Sequence, residues 1–258
     1  MPKIHPTAII RPPVELAEDV EVGPYAIVGP EVQIGPGTVI GPFARVEFAK
    51  IGSGNKILHG AVIGLEPQDL KFKGEASWVR IGDRNVIREF VTIHRGTGEG
   101  TETVVGNDCY LMAYSHLGHN VRLGNGVIIV NSAQLGGHAV VEDYAYISAF
   151  VPVHQFARVG KLAIVSGATR VSQDIPPFMM AEGYEARIVG VNRVGLRRRG
   201  YSSERIDRIA EAYRILYRQG RAFPAALEVL EERFGDDPDI RHLIQFIKST
   251  KRGVTRRA

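Results

Sequence analysis

The sequence of 258 residues has one cysteine, Cys109, and no apolar run long enough to span a bilayer. One cysteine excludes a disulfide framework within the chain. The opening Met-Pro-Lys-Ile-His lacks the hydrophobic segment of a secretion signal. We therefore expect a cytoplasmic protein that does not span a membrane, in which Cys109 is buried rather than reactive.

Positive charge is concentrated in the last third of the chain. From residue 185 onward, 17 Lys and Arg stand against 10 Asp and Glu, although the formal net charge of the whole chain is only +4. This basic part contains no recognisable DNA or RNA module, so we expect no nucleic-acid partner. Its arginines form either a solvated face or a surface for a phosphate or an acidic protein. Nine of them are Arg193, Arg197, Arg198, Arg199, Arg205, Arg208, Arg214, Arg218 and Arg221.

An aliphatic residue returns every six positions from Val105 to Val171, and the fourth residue after it is usually small or β-branched. A period of six fits neither an α-helix nor a simple alternating strand. It is typical of a narrow prism in which three short strands make one coil, and successive coils pair through their backbones. The same six-residue period occupies 22–46 and, after one residue is dropped, 51–63 and 81–93. The sequence therefore predicts an all-β parallel β-helix built from hexapeptide repeats.

Two stretches interrupt the repeat, at 64–79 and at 96–103, and we expect both to project as loops. We further expect residues 1–184 to form the β-helix with its projecting loop.

The hexapeptides stop after Pro177. Helical spacing of apolar residues follows, with predicted helix starts at Ser202, Pro224 and about Asp239. We expect residues 185–258 to form a basic, α-helical C-terminal domain.

Three hexapeptides per coil place residues 18 apart over one another, at the strand spacing of about 4.8 Å. His119 should then lie under Gly137 and Gln155, and Asn120 under His138. His116 lies on the same coil as His119, His138 one coil later and His154 one coil after that. The histidines are therefore predicted to converge at one corner of the prism.

Histidine beside a polar side chain is suited to general-base catalysis, because its pKa is near working pH and the neighbour fixes its tautomer. An acyl transfer also needs a hydrogen-bond donor for the oxyanion, which the Gly137 N–H would supply. This chemistry needs no metal or other cofactor. The alternatives are a zinc enzyme with three histidine ligands and a catalytically silent trimeric scaffold.

The motifs outside the repeat resemble those of the UDP-N-acetylglucosamine acyltransferases of lipid A biosynthesis, over essentially the whole chain. These motifs are Gln68-Asp-Leu-Lys71, Ile81-Gly-Asp-Arg-Asn85, Thr92-Ile-His-Arg-Gly96, His116-x-x-His119, Gly137-His138, Val153-His-Gln-Phe156, Gln173-Asp-Ile-Pro-Pro177 and Gly195-Leu-Arg-Arg-Arg-Gly200.

The resemblance implies a cytosolic homotrimer of left-handed β-helices with its sites between subunits. It implies transfer of an (R)-3-hydroxyacyl group from acyl carrier protein to the 3-hydroxyl of UDP-N-acetylglucosamine, the first step of lipid A biosynthesis. The basic C-terminal region would dock the acidic carrier protein.

The resemblance also implies roles for individual residues. His119 would be the general base, with Gly137 as the oxyanion donor and Gly167 at the end of the acyl groove. Substrate would contact Asp69, Lys71, His116, His138, His154, Gln155 and Arg198.

Two positions depart from the family pattern. Asn120 stands where aspartate is usual, and it can orient His119 but cannot stabilise an imidazolium by charge. Val194 replaces a residue that is commonly acidic. Asparagine after the histidine is also found in the N-acyltransferase that acts later in the pathway, so that activity is one alternative. Transfer to a 3-amino sugar nucleotide, with an amide product, is another.

Overall fold

Three β-sheets form the faces of a prism in the computed structural model, which describes residues 1–256. The sheets contain 11, 8 and 8 strands, and neighbouring strands in each sheet come from successive coils. The strands pair in parallel throughout the coils, and the last two strands alone form an antiparallel pair. The predicted all-β, left-handed parallel β-helix with a helical C-terminal part is confirmed.

The strands are short, because each covers only one face of the prism before the chain turns. They are β1 (Lys3–Ile4), β2 (Ile9–Ile10), β3 (Val14–Leu16), β4 (Glu21–Val22), β5 (Ile27–Val28), β6 (Val32–Ile34), β7 (Val39–Ile40), β8 (Arg45–Val46), β9 (Ala49–Ile51), β10 (Lys56–Ile57), β11 (Val62–Ile63), β12 (Trp78–Ile81), β13 (Val86–Ile87), β14 (Thr92–Ile93), β15 (Glu102–Val105), β16 (Tyr110–Leu111), β17 (His116–Leu117), β18 (Arg122–Leu123), β19 (Ile128–Ile129), β20 (Gln134–Leu135), β21 (Val140–Val141), β22 (Tyr146–Ile147), β23 (Pro152–Val153), β24 (Arg158–Val159), β25 (Ile164–Val165), β26 (Met179–Glu182) and β27 (Arg187–Val191).

The residues of the six-residue period fill the interior of the prism. Leu117 pairs with Leu135, and Leu135 with Val153, each 18 positions apart as predicted. All three are buried, and so are the small partners such as Ala133 and Ala139. Stacking of identical positions buries apolar area continuously along the axis, and this burial stabilises the coils.

The prediction for the single cysteine is also confirmed. Cys109 lies in the interior with 1% of its surface exposed. Burial raises the pKa of its thiol to about 11, which keeps it protonated and unreactive.

The coils already begin at β1, and the loops end sooner than the sequence indicated. Strands β1, β2 and β3 carry Ile4, Ile10 and Leu16 in the same six-residue register as Val22. Strand β12 already begins at Trp78, so the first projecting loop spans 64–77. Strand β15 likewise begins at Glu102 and shortens the second loop.

Within residues 1–256, four helices follow the coils: α1 (Arg193–Arg198), α2 (Ser203–Tyr217), α3 (Phe223–Phe234) and α4 (Pro238–Lys248). Ser202 caps α2 as predicted, and α3 and α4 begin one residue before the predicted positions. The short helix α1 was not predicted, because its Gly195 and its run of arginines give no apolar periodicity. Arg257 and Ala258, the end of the predicted C-terminal domain, lie outside the described residues.

No helix within the described part of the chain combines the length and the apolar character needed to cross a bilayer.

Candidate active site

The predicted histidine corner exists where the chain turns from β17 to β18 and, one coil later, from β20 to β21. Asn120, His138 and Phe156 occupy equivalent corner positions with φ of 60°, 61° and 65°. The backbone N–H of His138 donates to the His119 carbonyl (2.9 Å), and the His138 ring stacks on Phe156 with centroids 4.7 Å apart. The rigid coils therefore fix the spacing of these side chains.

Asn120 orients the imidazole of His119. Its Oδ1 lies 2.8 Å from His119 Nδ1 and also accepts the backbone N–H of Thr97 at 2.9 Å. The Thr97 contact requires an acceptor, so it fixes the amide with its oxygen toward the ring. His119 Nδ1 must then carry the proton, which leaves Nε2 as the basic nitrogen.

His119 Nε2 faces Gly137 and the projecting loop. A Cβ at residue 137 would collide with this nitrogen, so only glycine leaves the His119 ring in this position. Within residues 1–256 no acceptor takes the Gly137 N–H. Asp69 Oδ2 lies 3.7 Å from Nε2, and the His119 and Asp69 side chains are 16% and 20% exposed. Nε2 therefore lies between a hydrogen-bond donor and a carboxylate.

The loop brings Asp69 and Lys71 to this corner as one turn. The Lys71 N–H donates to Asp69 Oδ1 (3.0 Å), and this bond, with the nearby His119, lowers the pKa of Asp69. Asp69 is therefore an anion at neutral pH, suited to accept hydrogen bonds from hydroxyl groups. The Lys71 side chain is exposed to solvent.

His116 and His138 are neutral members of the group. His116 Nδ1 lies 2.7 Å from Thr92 Oγ1, and burial lowers the pKa of His116 to about 4, with a smaller effect of His94. Burial, and then His119, also lower the pKa of His138. Both rings therefore offer hydrogen bonds without adding charge at neutral pH.

His154 and Gln155 lie on the next coil at the same corner, and both are exposed. His154 Nδ1 donates to the Gln155 carbonyl (2.9 Å). Gly167 lies further toward the C-terminus, and a Cβ there would have the Ala149 carbonyl 3.6 Å away as its nearest neighbour. The surface at Gly167 therefore has space for a side chain.

Arg198 lies at a different corner of the same chain. Helix α1 is tied to the corner of Tyr144 and Leu162: the Asn192 side chain donates to the Leu162 carbonyl (2.8 Å), and Arg199 packs over the Tyr144 ring at 3.9 Å. On successive coils, that corner is the turn between β18 and β19 and the turn between β21 and β22. His119 lies instead at the turn between β17 and β18. One chain therefore does not bring Arg198 to His119.

Three residues of this region had no predicted role: His94, Arg95 and Thr97. His94 and Arg95 belong to the motif Thr92-Ile-His-Arg-Gly96 and Thr97 directly follows it; the motif carried the resemblance, but no repeat period assigns contacts to these residues. In the structure Thr97 binds Asn120, and the His94 ring lies against His116 with centroids 5.0 Å apart.

A metal centre has no preformed set of ligands in the part of the chain that the structure describes. No three His, Cys, Asp or Glu side chains of residues 1–256 converge as a metal ion would require. The acceptor and donor groups at His119 instead suit proton transfer and hydrogen bonding.

Two family models match the chain. The model described as UDP-N-acetylglucosamine O-acyltransferase, domain 2, matches residues 174–255. The model described as bacterial transferase hexapeptide (six repeats) matches residues 13–48 and 102–137.

Two curated relatives match over their full length. An acyl-[acyl-carrier-protein]–UDP-N-acetylglucosamine O-acyltransferase of Janthinobacterium sp. is 45% identical over 262 residues, which cover 99% of this chain and 100% of the relative. A relative of the same name from Thermodesulfovibrio yellowstonii is 44% identical over 259 residues, with 99% and 100% covered.

A solved structure shows the same similarity. The UDP-N-acetylglucosamine acyltransferase of Bacteroides fragilis superimposes with a TM-score of 0.95 at 43% identity, covering 98% of this chain and 99% of that one.

Proposed function

Because the chain belongs to the UDP-N-acetylglucosamine O-acyltransferase family, we propose that the corner around His119 is the site at which it transfers an acyl group. The donor is an acyl group on acyl carrier protein, and the acceptor is UDP-N-acetylglucosamine. One observation carries this assignment: Asn120 and Thr97 fix the His119 ring so that Nε2 is the basic nitrogen, next to the free Gly137 N–H.

His119 acts as the general base. Its Nε2 takes the proton of the sugar 3-hydroxyl while that oxygen attacks the carbonyl carbon of the carrier thioester. The Gly137 N–H donates to the oxyanion of the tetrahedral intermediate. Collapse of the intermediate breaks the carbon–sulfur bond, and the departing thiolate takes the proton back from His119. The products are the 3-O-acyl sugar nucleotide and the free carrier thiol.

The neighbouring polar groups bind the substrates. Asp69 and Lys71 contact the sugar nucleotide, because the carboxylate accepts hydroxyl hydrogens and the ammonium suits phosphate oxygens. The neutral rings of His116 and His138 line the cleft, as do the exposed side chains of His154 and Gln155. The acyl chain, an (R)-3-hydroxyacyl group, runs toward Gly167.

The working enzyme is a homotrimer, and a neighbouring subunit supplies Arg198 to the nucleotide phosphates. Two facts support this: Arg198 is exposed, and its helix is tied to a corner other than that of His119. A closed three-fold assembly brings different corners of adjacent prisms together without requiring a change of fold.

The acidic carrier protein docks on the basic C-terminal part of a cytoplasmic enzyme. Several arginines of this part are already paired, since Arg193, Arg205 and Arg208 make ion pairs with aspartates. Arg197 and Arg198 are exposed and make no ion pair within residues 1–256. Since Arg198 is assigned to the nucleotide phosphates, Arg197 is the better suited of the two to an incoming acidic partner.

We also propose the functional division of the chain at residue 184, with coils before it and the basic helical domain after it. The coils would then supply the catalytic corner, and the helical domain would supply the phosphate and carrier contacts.

The test is acyl transfer by the purified protein from a series of (R)-3-hydroxyacyl carrier proteins to UDP-N-acetylglucosamine and, in parallel, to its 3-amino analogue. We expect transfer to the hydroxyl sugar, and a loss of roughly 100-fold or more in His119→Ala with the fold retained. Preference for the amino sugar would replace the ester by an amide product. Absence of transfer to either sugar would refute the proposed function and favour the scaffold or, with metal bound to the purified protein, a zinc enzyme.

A further inference from the structure

The loop 64–77 must be held in place for Asp69 to lie 3.7 Å from His119 Nε2. Its tip is strongly exposed, since Leu70 has its whole side chain in solvent. The turn itself is well defined: the Phe72 N–H donates to the Asp69 carbonyl (3.0 Å) and the Lys71 N–H to Asp69 Oδ1. Residues 69–72 therefore move together, and whatever fixes Phe72 also fixes Asp69.

Arg95 connects this turn to the coils. Its guanidinium lies 4.0 Å above the ring of Phe48, at a corner of the prism, and 5.1 Å from the ring of Phe72 in the loop. Its backbone N–H donates to the Leu65 carbonyl (3.2 Å) at the start of the loop. Arg95 therefore contacts the loop at two separate points while it packs on a coil.

The environment of Arg95 is an unfavourable one for a cation. The side chain is 8% exposed, its Nε has no hydrogen-bond partner within residues 1–256, and burial lowers its pKa. The nearest carboxylate, Glu66, is 4.0 Å away and 76% exposed, which makes a weak ion pair. Fold stability alone would favour an apolar residue at this position, because an imperfectly paired buried charge costs free energy.

A planar cation does what an apolar residue cannot do here. The faces of two aromatic rings attract a guanidinium in a defined geometry, whereas an aliphatic side chain packs without orientation. The position of Phe72, and with it that of Asp69, is thus set relative to the coil that carries Phe48.

We propose that Arg95 is a positioning residue for acyl transfer: packed between Phe48 and Phe72, its guanidinium holds the turn 69–72 so that Asp69 and Lys71 meet the sugar nucleotide beside His119. This role rests on the proposed function of the His119 corner. Arg95 does not touch the reacting atoms.

The test compares Arg95→Met, Arg95→Lys and Phe72→Leu with the control Arg84→Met. Arg84 is an exposed arginine of the coils, paired with Asp108, and lies outside the site. For each protein, kcat and KM are measured for each substrate, together with amide hydrogen exchange of the loop peptide 64–77 and the thermal midpoint. Phe72→Leu changes only the loop side of the contact, so it keeps the test valid if Arg95→Met folds poorly.

We expect kcat/KM for UDP-N-acetylglucosamine to fall about tenfold in Arg95→Met and Phe72→Leu, because a misplaced binding group costs rate without loss of the base. KM for this substrate should rise more than KM for the acyl carrier protein, and the loop should exchange faster. Arg95→Lys should recover only part of the activity, since it keeps the charge but not the planar fork. Arg84→Met should match the unaltered protein in its kinetic constants and loop exchange.

Unchanged kcat/KM and unchanged loop exchange in both Arg95→Met and Phe72→Leu would overturn the proposal. Faster exchange with unchanged kcat/KM would overturn the positioning role as well, since the contact would then be structural only. If the unaltered protein transfers no acyl group, the proposed function fails, and the exchange comparison alone decides whether Arg95 holds the loop.

Discussion

Asn120 uses one oxygen for two hydrogen bonds, to His119 Nδ1 and to the Thr97 N–H. Aspartate could accept both bonds equally well, so the substitution of the usual acid by an amide preserves the orientation of the base. It removes only the negative charge that would stabilise the imidazolium formed in the proposed reaction.

This arrangement predicts the behaviour of two Asn120 variants. Asn120→Asp should keep kcat within about threefold, and the acidic limb of its pH–rate profile should move to higher pH, because a carboxylate favours the protonated ring. Asn120→Ala should lose roughly tenfold or more in kcat, since Nδ1 then has no acceptor. Steady-state kinetics from acidic to alkaline pH measure both effects. A large loss in Asn120→Asp would show that the amide nitrogen is needed.

Gly167 gives a second prediction at this scale. Its environment is open, because a Cβ added there would have the Ala149 carbonyl 3.6 Å away as its nearest neighbour, and its backbone conformation does not exclude other residues. Gly167→Met should therefore fold normally and shorten the preferred acyl chain by filling the groove. The chain-length profile with the series of acyl carrier proteins measures the preference. An unchanged profile would place the end of the groove elsewhere.

At the scale of elements, Asp174 joins the last coil to the end of helix α4. Only 1% of its surface is exposed, and its carboxylate accepts bonds from Arg158 Nε (2.8 Å) and Thr250 Oγ1 (2.8 Å). Arg158 in turn donates to the Phe246 carbonyl (2.8 Å) on α4. This network fixes the helical domain on the coils.

Asp174→Ala should lower the free energy of unfolding by about 3 kcal/mol, because it leaves a partly buried arginine without its partner. The matched control is Glu21→Ala, which removes an ion pair with Lys3 that is largely exposed and should cost less than about 1 kcal/mol. Urea unfolding of both variants measures the difference. Equal effects of the two substitutions would show that the Asp174 network does not stabilise the fold.

At the scale of the whole molecule, the proposed site is divided between corners that one chain keeps apart. His119 belongs to one corner, whereas helix α1 with Arg198 is tied to the corner of Leu162 and Tyr144. The proposed trimer brings the two together from adjacent subunits.

A mixture of two inactive variants tests this division. His119→Ala and Arg198→Ala, unfolded together and refolded, should regain activity, because about one site in four of a random mixed trimer combines an intact His119 with an intact Arg198. The separately refolded variants, mixed afterwards, are the control. A mixture that stays as inactive as its components would place both residues in the same chain's site.

The amino-acid sequence alone determined the solenoid and much of its corner. Every six-residue unit packs in the same way. The position of an aliphatic residue such as Leu117 in its unit therefore predicts that it is buried and that it pairs with the residue 18 positions later. The same arithmetic placed His119 under Gly137. Helix α2 was visible from its cap at Ser202, since capping and amphipathic spacing are also local.

Only the tertiary structure decided the contacts of the segments that leave the repeat. No period relates Thr97 to Asn120, Arg95 to Phe72, or Asp174 to helix α4, because each pair depends on how a loop or helix folds back on the coils. The separation of Arg198 from His119 has the same origin. In the repeat, a fixed period relates residues that contact each other on successive coils, so these contacts can be read from the sequence. Where the repeat ends, only three-dimensional packing determines the contacts.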